Sequence, residues 1–252
     1  MQFLCPEPFN SNLPALIYLP GMDGTGQLFH RQSSTLARFF NIYCLSLPTK
    51  DKSTWQSLSQ NIWDLSHKVI GDRPIHLCGE SFGGCLALQL ALNSSKSVKQ
   101  LILINPASSF YRYPWLSWGV SLTRSLPMAW HSTTTLGFLP FLAALDRIEA
   151  GDRRQLLQSM RSVSPDVISW RLGLLQNFAL APQAIQNFKS PTLILASRND
   201  RLLPSVTEGQ RLQSLFPCAK LQVLPHSGHA CLLEKDLSLT EIFDQQGFLP
   251  LF

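Results

Sequence analysis

No run of about twenty apolar residues free of charge occurs anywhere in the 252-residue sequence, so no membrane-spanning helix is expected. The first residues lack the basic start and continuous apolar stretch of a secretory leader, and the first apolar run, 13–19, is interrupted by Pro14 and ends at Pro20. A cytoplasmic rather than secreted protein is the expectation. The six cysteines (Cys5, Cys44, Cys78, Cys85, Cys218 and Cys231) form no CxxC pair and have no histidine at zinc spacing. That excludes a disulfide framework or zinc module and predicts reduced, mostly buried thiols, with no metal or other cofactor implied. Only 15% of the residues are charged, and no Lys/Arg cluster is dense enough to track phosphates, so nucleic acid is excluded as a partner.

What is present fits one large α/β domain, because a chain of this length can bury roughly three quarters of its unfolded surface. Short apolar runs alternate with longer helical patterns, the signature of a mostly parallel central sheet flanked by helices. The spacing predicts strands at 15–19, 42–47, 75–78, 101–104, 193–196 and 221–224. Helices are predicted near 27–40, 54–70, 82–93 and 205–216, with a last one after Cys231. Few residues precede the first strand, leaving little room for additional antiparallel strands.

The stretch from about 108 to 189 breaks the rhythm. It carries Pro114, Pro127, Pro140, Pro165 and Pro182 and reads as amphipathic helices without a strand. It is therefore assigned as a helical cap inserted between core segments 1–107 and 190–252. Eight basic residues, including Arg112, Arg124, Arg147 and Arg171, stand against four acidic ones there, so most of the formal net charge of +5 lies in this segment. It also holds Trp115, Trp118, Trp130, Phe138, Phe141, Trp170 and Phe178. An ordinary lid with solvated arginines is the simpler reading, and peripheral contact with an anionic membrane the alternative. The tryptophans serve mostly for packing, with some lining an acyl or alkyl pocket.

Directly after the strand 75–78 comes Gly79-Glu80-Ser81-Phe82-Gly83, opening a helical run. This is GxSxG at a strand-to-helix junction, where the serine sits on so tight a turn that only glycine two residues away on either side avoids collision. A serine hydroxyl alone is a weak nucleophile. In the α/β-hydrolase fold it is followed in sequence by an acid and then a histidine. Asp200 lies just after the strand 193–196, with Asp23 as the rival acid. His229 lies just before the last helix and is preferred to His226. The tetrahedral oxyanion needs preorganised amide donors. Phe82 N–H is one candidate, and Met22 N–H, in the loop Pro20-Gly21-Met22-Asp23-Gly24-Thr25-Gly26, is preferred to that of Asp23 as the second. That loop lacks the GxxxxGK[ST] spacing of a phosphate-binding loop. His67 and Asp72 match an HxxxxD acyltransferase spacing without its partner motifs and read as coincidence. His76, on a strand, reads as a hydrogen-bonded core residue.

The segments LPGMDGTG (19–26), GESFGGCLAL (79–88), NPASSF (105–110), LASRNDRLLPS (195–205) and SGHACLLE (227–234) resemble the hydrolase half of the phytyl ester synthase family of plastids and cyanobacteria, over nearly the whole chain. The resemblance implies a small hydrophobic ester as substrate, of prenyl or fatty acyl type such as the phytyl ester of chlorophyll, and a setting near photosynthetic membranes. It implies the same three residues, Ser81, Asp200 and His229, position by position. Members that esterify phytol carry a second, acyltransferase domain, whereas this sequence ends soon after His229. Water is accordingly the expected acceptor, with acyl transfer, thioester cleavage or a non-catalytic isoprenoid receptor as alternatives.

Overall fold

At 15–19, 75–80 and 192–197, where the sequence is mostly apolar, the chain is extended and every residue is buried, as in strands covered on both faces. In the computed structural model the described residues are 1–94, 97–113 and 144–250. Seven strands form one sheet: β1 (Gln2–Leu4), β2 (Ala15–Leu19), β3 (Asn41–Ser46), β4 (Ile75–Glu80), β5 (Val98–Ile104), β6 (Thr192–Ser197) and β7 (Ala219–Leu224). Their order is β1-β3-β2-β4-β5-β6-β7, and every neighbouring pair is parallel except β1 with β3. The chain steps from β2 outward to β3 and then back across to β4. The loops after β2 and β4 therefore diverge at the switch point where open α/β sheets bind ligands.

Side chains alternate across the sheet with the period of two that an extended chain imposes. Ile17, Leu19, Leu77, Leu101 and Leu103 pack on one face with Leu58 and Ile62 of α2 (Trp55–Ile70) and with α3 (Phe82–Asn93). Leu16, Tyr18, Cys78, Ile102 and Ile104 pack on the other with Leu36 of α1 (His30–Leu36) and residues 242–243 near the carboxyl end. Helix α2 begins where Thr54 accepts from the Ser57 N–H at 3.2 Å, satisfying one of the four free donors at a helix start. Among the described residues no helix is long and apolar enough to cross a membrane.

Two expectations are corrected. The short leader does supply an antiparallel edge: β1 pairs Gln2 with Ser46, Phe3 with Leu45 and Leu4 with Cys44. Three residues suffice because β3 already presents an open edge and Phe3 packs edge-on against Tyr43 at 5.7 Å. The single helix expected at 27–40 is instead a 3-10 turn (Gln27–Phe29) followed by the short α1, and the chain then turns to bury Phe40 before β3. Cys44, Cys78, Cys85 and Cys231 are buried thiols, while Cys5 and Cys218 are exposed.

Among the described residues between β5 and β6 there is no strand; there are the bridge of Ile148 to Glu234, two 3-10 turns (Phe110–Arg112 and Leu145–Arg147) and three α-helices: α4 (Ala150–Arg161), α5 (Pro165–Gln176) and α6 (Pro182–Asn187). The chain continues through α7 (Ser205–Leu215) and ends in α8 (Leu239–Gln246). Arg124, Trp115, Trp118, Trp130, Phe138 and Phe141 lie outside the described residues. Trp170 is 39% exposed and donates to the Ser53 carbonyl at 3.0 Å, whereas Phe178 is buried edge-on to Trp55. His67 and Asp72 meet at 3.0 Å on the surface, and His76 is buried with Nδ1 2.8 Å from Gln100 Oε1.

Candidate active site

β4 ends at Glu80 and α3 begins at Phe82, leaving Ser81 alone to reverse the chain, with φ 54° and ψ −114°. A positive φ is costly for a residue with a side chain, so it persists only where its surroundings enforce it. Sequence supplies the enforcement: a Cβ on Gly79 would lie 2.3 Å from the Gly83 carbonyl oxygen, and one on Gly83 would lie 2.0 Å from that of Leu19. The two glycines let α3 and β2 close on the turn. The Ser81 N–H then donates to Ile104 O at 3.0 Å, and its carbonyl accepts from Ala107 N at 3.1 Å.

His229 comes from the loop after β7. Its Nε2 is 2.9 Å from Ser81 Oγ and its Nδ1 is 2.7 Å from Asp200 Oδ2. An ionised carboxylate only accepts, so Nδ1–H donates to Asp200 and Nε2 is left to accept the Ser81 proton. Asp200, after β6, is fixed by the Leu202 and Leu203 amides, each 2.9 Å from Oδ1, and by the Ser205 hydroxyl on Oδ2. Burial works against the charged form of each partner. For Asp200 the His229 ring and these donors outweigh it and hold the carboxyl below its ordinary range. For His229 burial is likewise outweighed, by the Asp200 carboxylate, so the imidazole holds its proton above its ordinary range. The rivals stand elsewhere: Asp23 Oδ2 accepts from the Thr25 N–H and hydroxyl, and His226 is exposed.

The loop 20–26 reaches the elbow at Gly21, where a Cβ would lie 3.8 Å from Ser81 Cβ, and Met22 is the next residue along it. The carbonyl of Gly21 accepts from Gly24 N at 3.1 Å, which sets the plane of the peptide carrying the Met22 N–H. The Phe82 N–H belongs to the first turn of α3, where backbone donors have no helical partner. Backbone donors set beside a nucleophile are what acyl transfer uses to hold the charge of an oxyanion.

Four buried groups escaped the sequence reading. Asn105, with φ 43° and no exposed surface, donates through Nδ2 to Ser197 Oγ at 2.9 Å and to the His229 carbonyl at 2.8 Å, and accepts from Ser197 N at 2.8 Å. It joins the ends of β5 and β6 to the histidine loop. Glu234 accepts from the Ser227 hydroxyl at 2.9 Å and the Gly228 N–H at 2.8 Å, bracing that loop from the other side. Glu80 is buried beneath the elbow and accepts from the Tyr18 hydroxyl at 2.6 Å; burial pushes its carboxyl up to about 7. Arg171, 2% exposed, reaches from α5 to the Met22 carbonyl at 2.6 Å. The asparagine itself, a residue type that tolerates positive φ, in NPASSF was the only local sign of Asn105, and nothing local marks the others.

Residues 14–236 match the family described as the alpha/beta hydrolase fold. The chain belongs to that family. It is 32% identical, over 96% of its length, to phytyl ester synthase 1 of Arabidopsis thaliana, a chloroplast protein of which it covers 38%. It thus spans under two fifths of the length of the curated relatives it matches first. It is 28% identical to the pimeloyl-[acyl-carrier protein] methyl ester esterase of Nitrosomonas europaea, covering 92% of this chain and 95% of that one. Among solved structures, MenH from S. aureus superposes with a TM-score of 0.76 at 20% identity over 98% of this chain and 96% of that one, a likeness of fold.

Proposed function

We propose that this hydrolase-fold chain cleaves hydrophobic carboxylic esters through an acyl-enzyme on Ser81. The observation that carries the reading is the unbroken chain of hydrogen bonds from Ser81 Oγ through His229 to Asp200, at 2.9 and 2.7 Å. As Oγ bonds to the carbonyl carbon, its proton passes to His229 Nε2. The new oxyanion faces the Met22 and Phe82 amides, and the imidazolium is held by Asp200. Collapse of the tetrahedral species breaks the bond to the alcohol oxygen, which takes the proton from Nε2. Water, deprotonated by the same nitrogen, then releases the acid and regenerates Ser81. The helical segment after β5 acts in this reading as a cap over the site.

The substrate class is proposed as lipid or isoprenoid esters, phytyl esters among them. Support comes from the likeness to a phytyl ester synthase and from the apolar rings of Trp55, Phe82 and Phe178 beside the elbow. The synthase name also favours a second reading, in which an alcohol such as phytol replaces water at the acyl-enzyme. A phosphonate bearing an alkyl or phytyl chain, followed by peptide mapping, tests the first. Label confined to Ser81, absent in Ser81→Ala together with turnover of aryl and phytyl esters, is the expected result; turnover persisting in Ser81→Ala refutes it. Adding phytol during turnover and finding only free acid eliminates the second reading.

A further inference from the structure

Arg171 is the one buried guanidinium among the described residues that makes no ion pair with a described carboxylate. Burial draws its proton affinity below the ordinary value for arginine, with only the through-space charges of Asp23 and Asp51 opposing. Keeping a cation buried without an ion pair to a described carboxylate is expensive, so its contacts bear on its role. They converge on one place. Nη1 donates to Met22 O at 2.6 Å, Cζ stands 5.8 Å from the centre of the Phe82 ring, and the guanidinium lies flat enough on the loop that a Cβ on Gly24 would meet Nη1 at 2.7 Å.

Met22 has two peptide planes. The one before it carries the N–H and is set by the turn from Gly24 N to Gly21 O; the one after it carries the carbonyl and is set by Arg171. Fixing both leaves the Met22 N–H a single direction. The other proposed donor, Phe82, has its ring stacked on Trp55 at 4.9 Å with Arg171 near it as well. Two other contacts, Trp55 Nε1 to Leu174 O and Trp170 Nε1 to Ser53 O, both 3.0 Å, already tie α5 to the start of α2 and its approach. The arginine is therefore not needed simply to attach the helix.

We propose that Arg171 is a positioning residue of the oxyanion hole: from the helical segment after β5 it locks the loop 20–26 and sets a fixed positive charge behind the amides that receive the oxyanion. The proposal rests on the ester-hydrolase reading. It makes seating of α5 a condition for full transition-state stabilisation rather than for substrate binding.

The test compares the wild-type chain with Arg171→Met and Arg171→Lys, and with Ser81→Ala as the control for chemistry. In Arg171→Met, kcat on an aryl ester falls about 10- to 100-fold, in the range of lost supporting contacts, while KM changes less than about threefold. Affinity for a trifluoromethyl ketone, which forms an oxyanion on Ser81, falls in parallel with kcat, and Lys restores part of both. Hydrogen exchange gives a readout that needs no turnover. The Gly24 amide, bonded to Gly21 O, and the Leu47 amide, bonded to Gly24 O, should exchange faster in Arg171→Met. Exchange should stay unchanged at the Ser81 amide, which is bonded to Ile104 O. Unchanged exchange at Gly24 and Leu47 overturns the proposal, as does a loss expressed in KM alone. Wild-type turnover that survives Ser81→Ala instead removes the ester-hydrolase reading, and the exchange result still decides whether Arg171 holds the loop.

Discussion

The sheet edge that carries Ser81 and the helical segment that follows β5 are attached to the rest of the molecule by different chemistry. Around Ser81 the supporting side chains are Leu19, Leu77, Cys85, Leu103 and their neighbours, almost without exposed surface, and the polar groups among them are closed networks such as that of Asn105. The helical segment has its own apolar anchors, Ile148 and Leu156 against Leu28 and Leu233. It also meets the core through charge. Asp152 of α4 lies 2.8 Å from His30 Nε2 and 2.5 Å from Arg31 Nε, and Arg147 lies 2.8 Å from Glu234. Apolar contact and closed hydrogen-bond networks give a fixed frame, while ion pairs whose basic partner is partly exposed give an attachment that salt can loosen. The difference teaches that a rigid frame for the nucleophile and a helical segment joined to it partly through charge can be built from one chain.

The strongest way to break this contrast is Asn105→Ala. It leaves the Ser197 N–H and His229 carbonyl buried without their partner, so stability to urea should fall by about 3 kcal/mol and turnover should fall with it. A loss below about 1 kcal/mol would mean that the network is not part of the frame. Arg147→Met comes next. Its partner Glu234 has no exposed side-chain surface and also braces the His229 loop, so removing the cation should cost about 2 kcal/mol, reduced from the fully buried case because Arg147 is 24% exposed. Unfolding curves would measure it, and wild-type stability in the variant would show that the segment does not lean on that pair. Asp152→Asn should have the smallest effect, under about 1 kcal/mol, and one that shrinks further in high salt. If salt leaves the difference between Asp152→Asn and wild type unchanged, the attachment of α4 is not electrostatic.

Legibility followed distance along the chain. GxSxG, its strand and its helix lie within the nineteen residues 75–93, and the reasons for the glycines are local collisions, so the elbow could be read directly. Strands β2, β4 and β6 were found because burial on both faces leaves a short, mostly apolar word. The three-residue β1 was not, because an edge strand that short carries no period. Glu80 and Tyr18 are 62 positions apart, and Arg171 and Met22 are 149 apart, so neither pair leaves any pattern within a window of sequence.

By itself the sequence determined the period of the strands, the strained turn at Ser81 and the order of serine, acid and histidine, because each depends on the sterics of neighbouring residues. The tertiary structure alone decided that Asn105 and Glu234 hold the histidine loop from two sides, and that a buried arginine rests on the Met22 carbonyl. Those outcomes depend on which strands become neighbours in the sheet, and that is fixed by the packing of the whole chain.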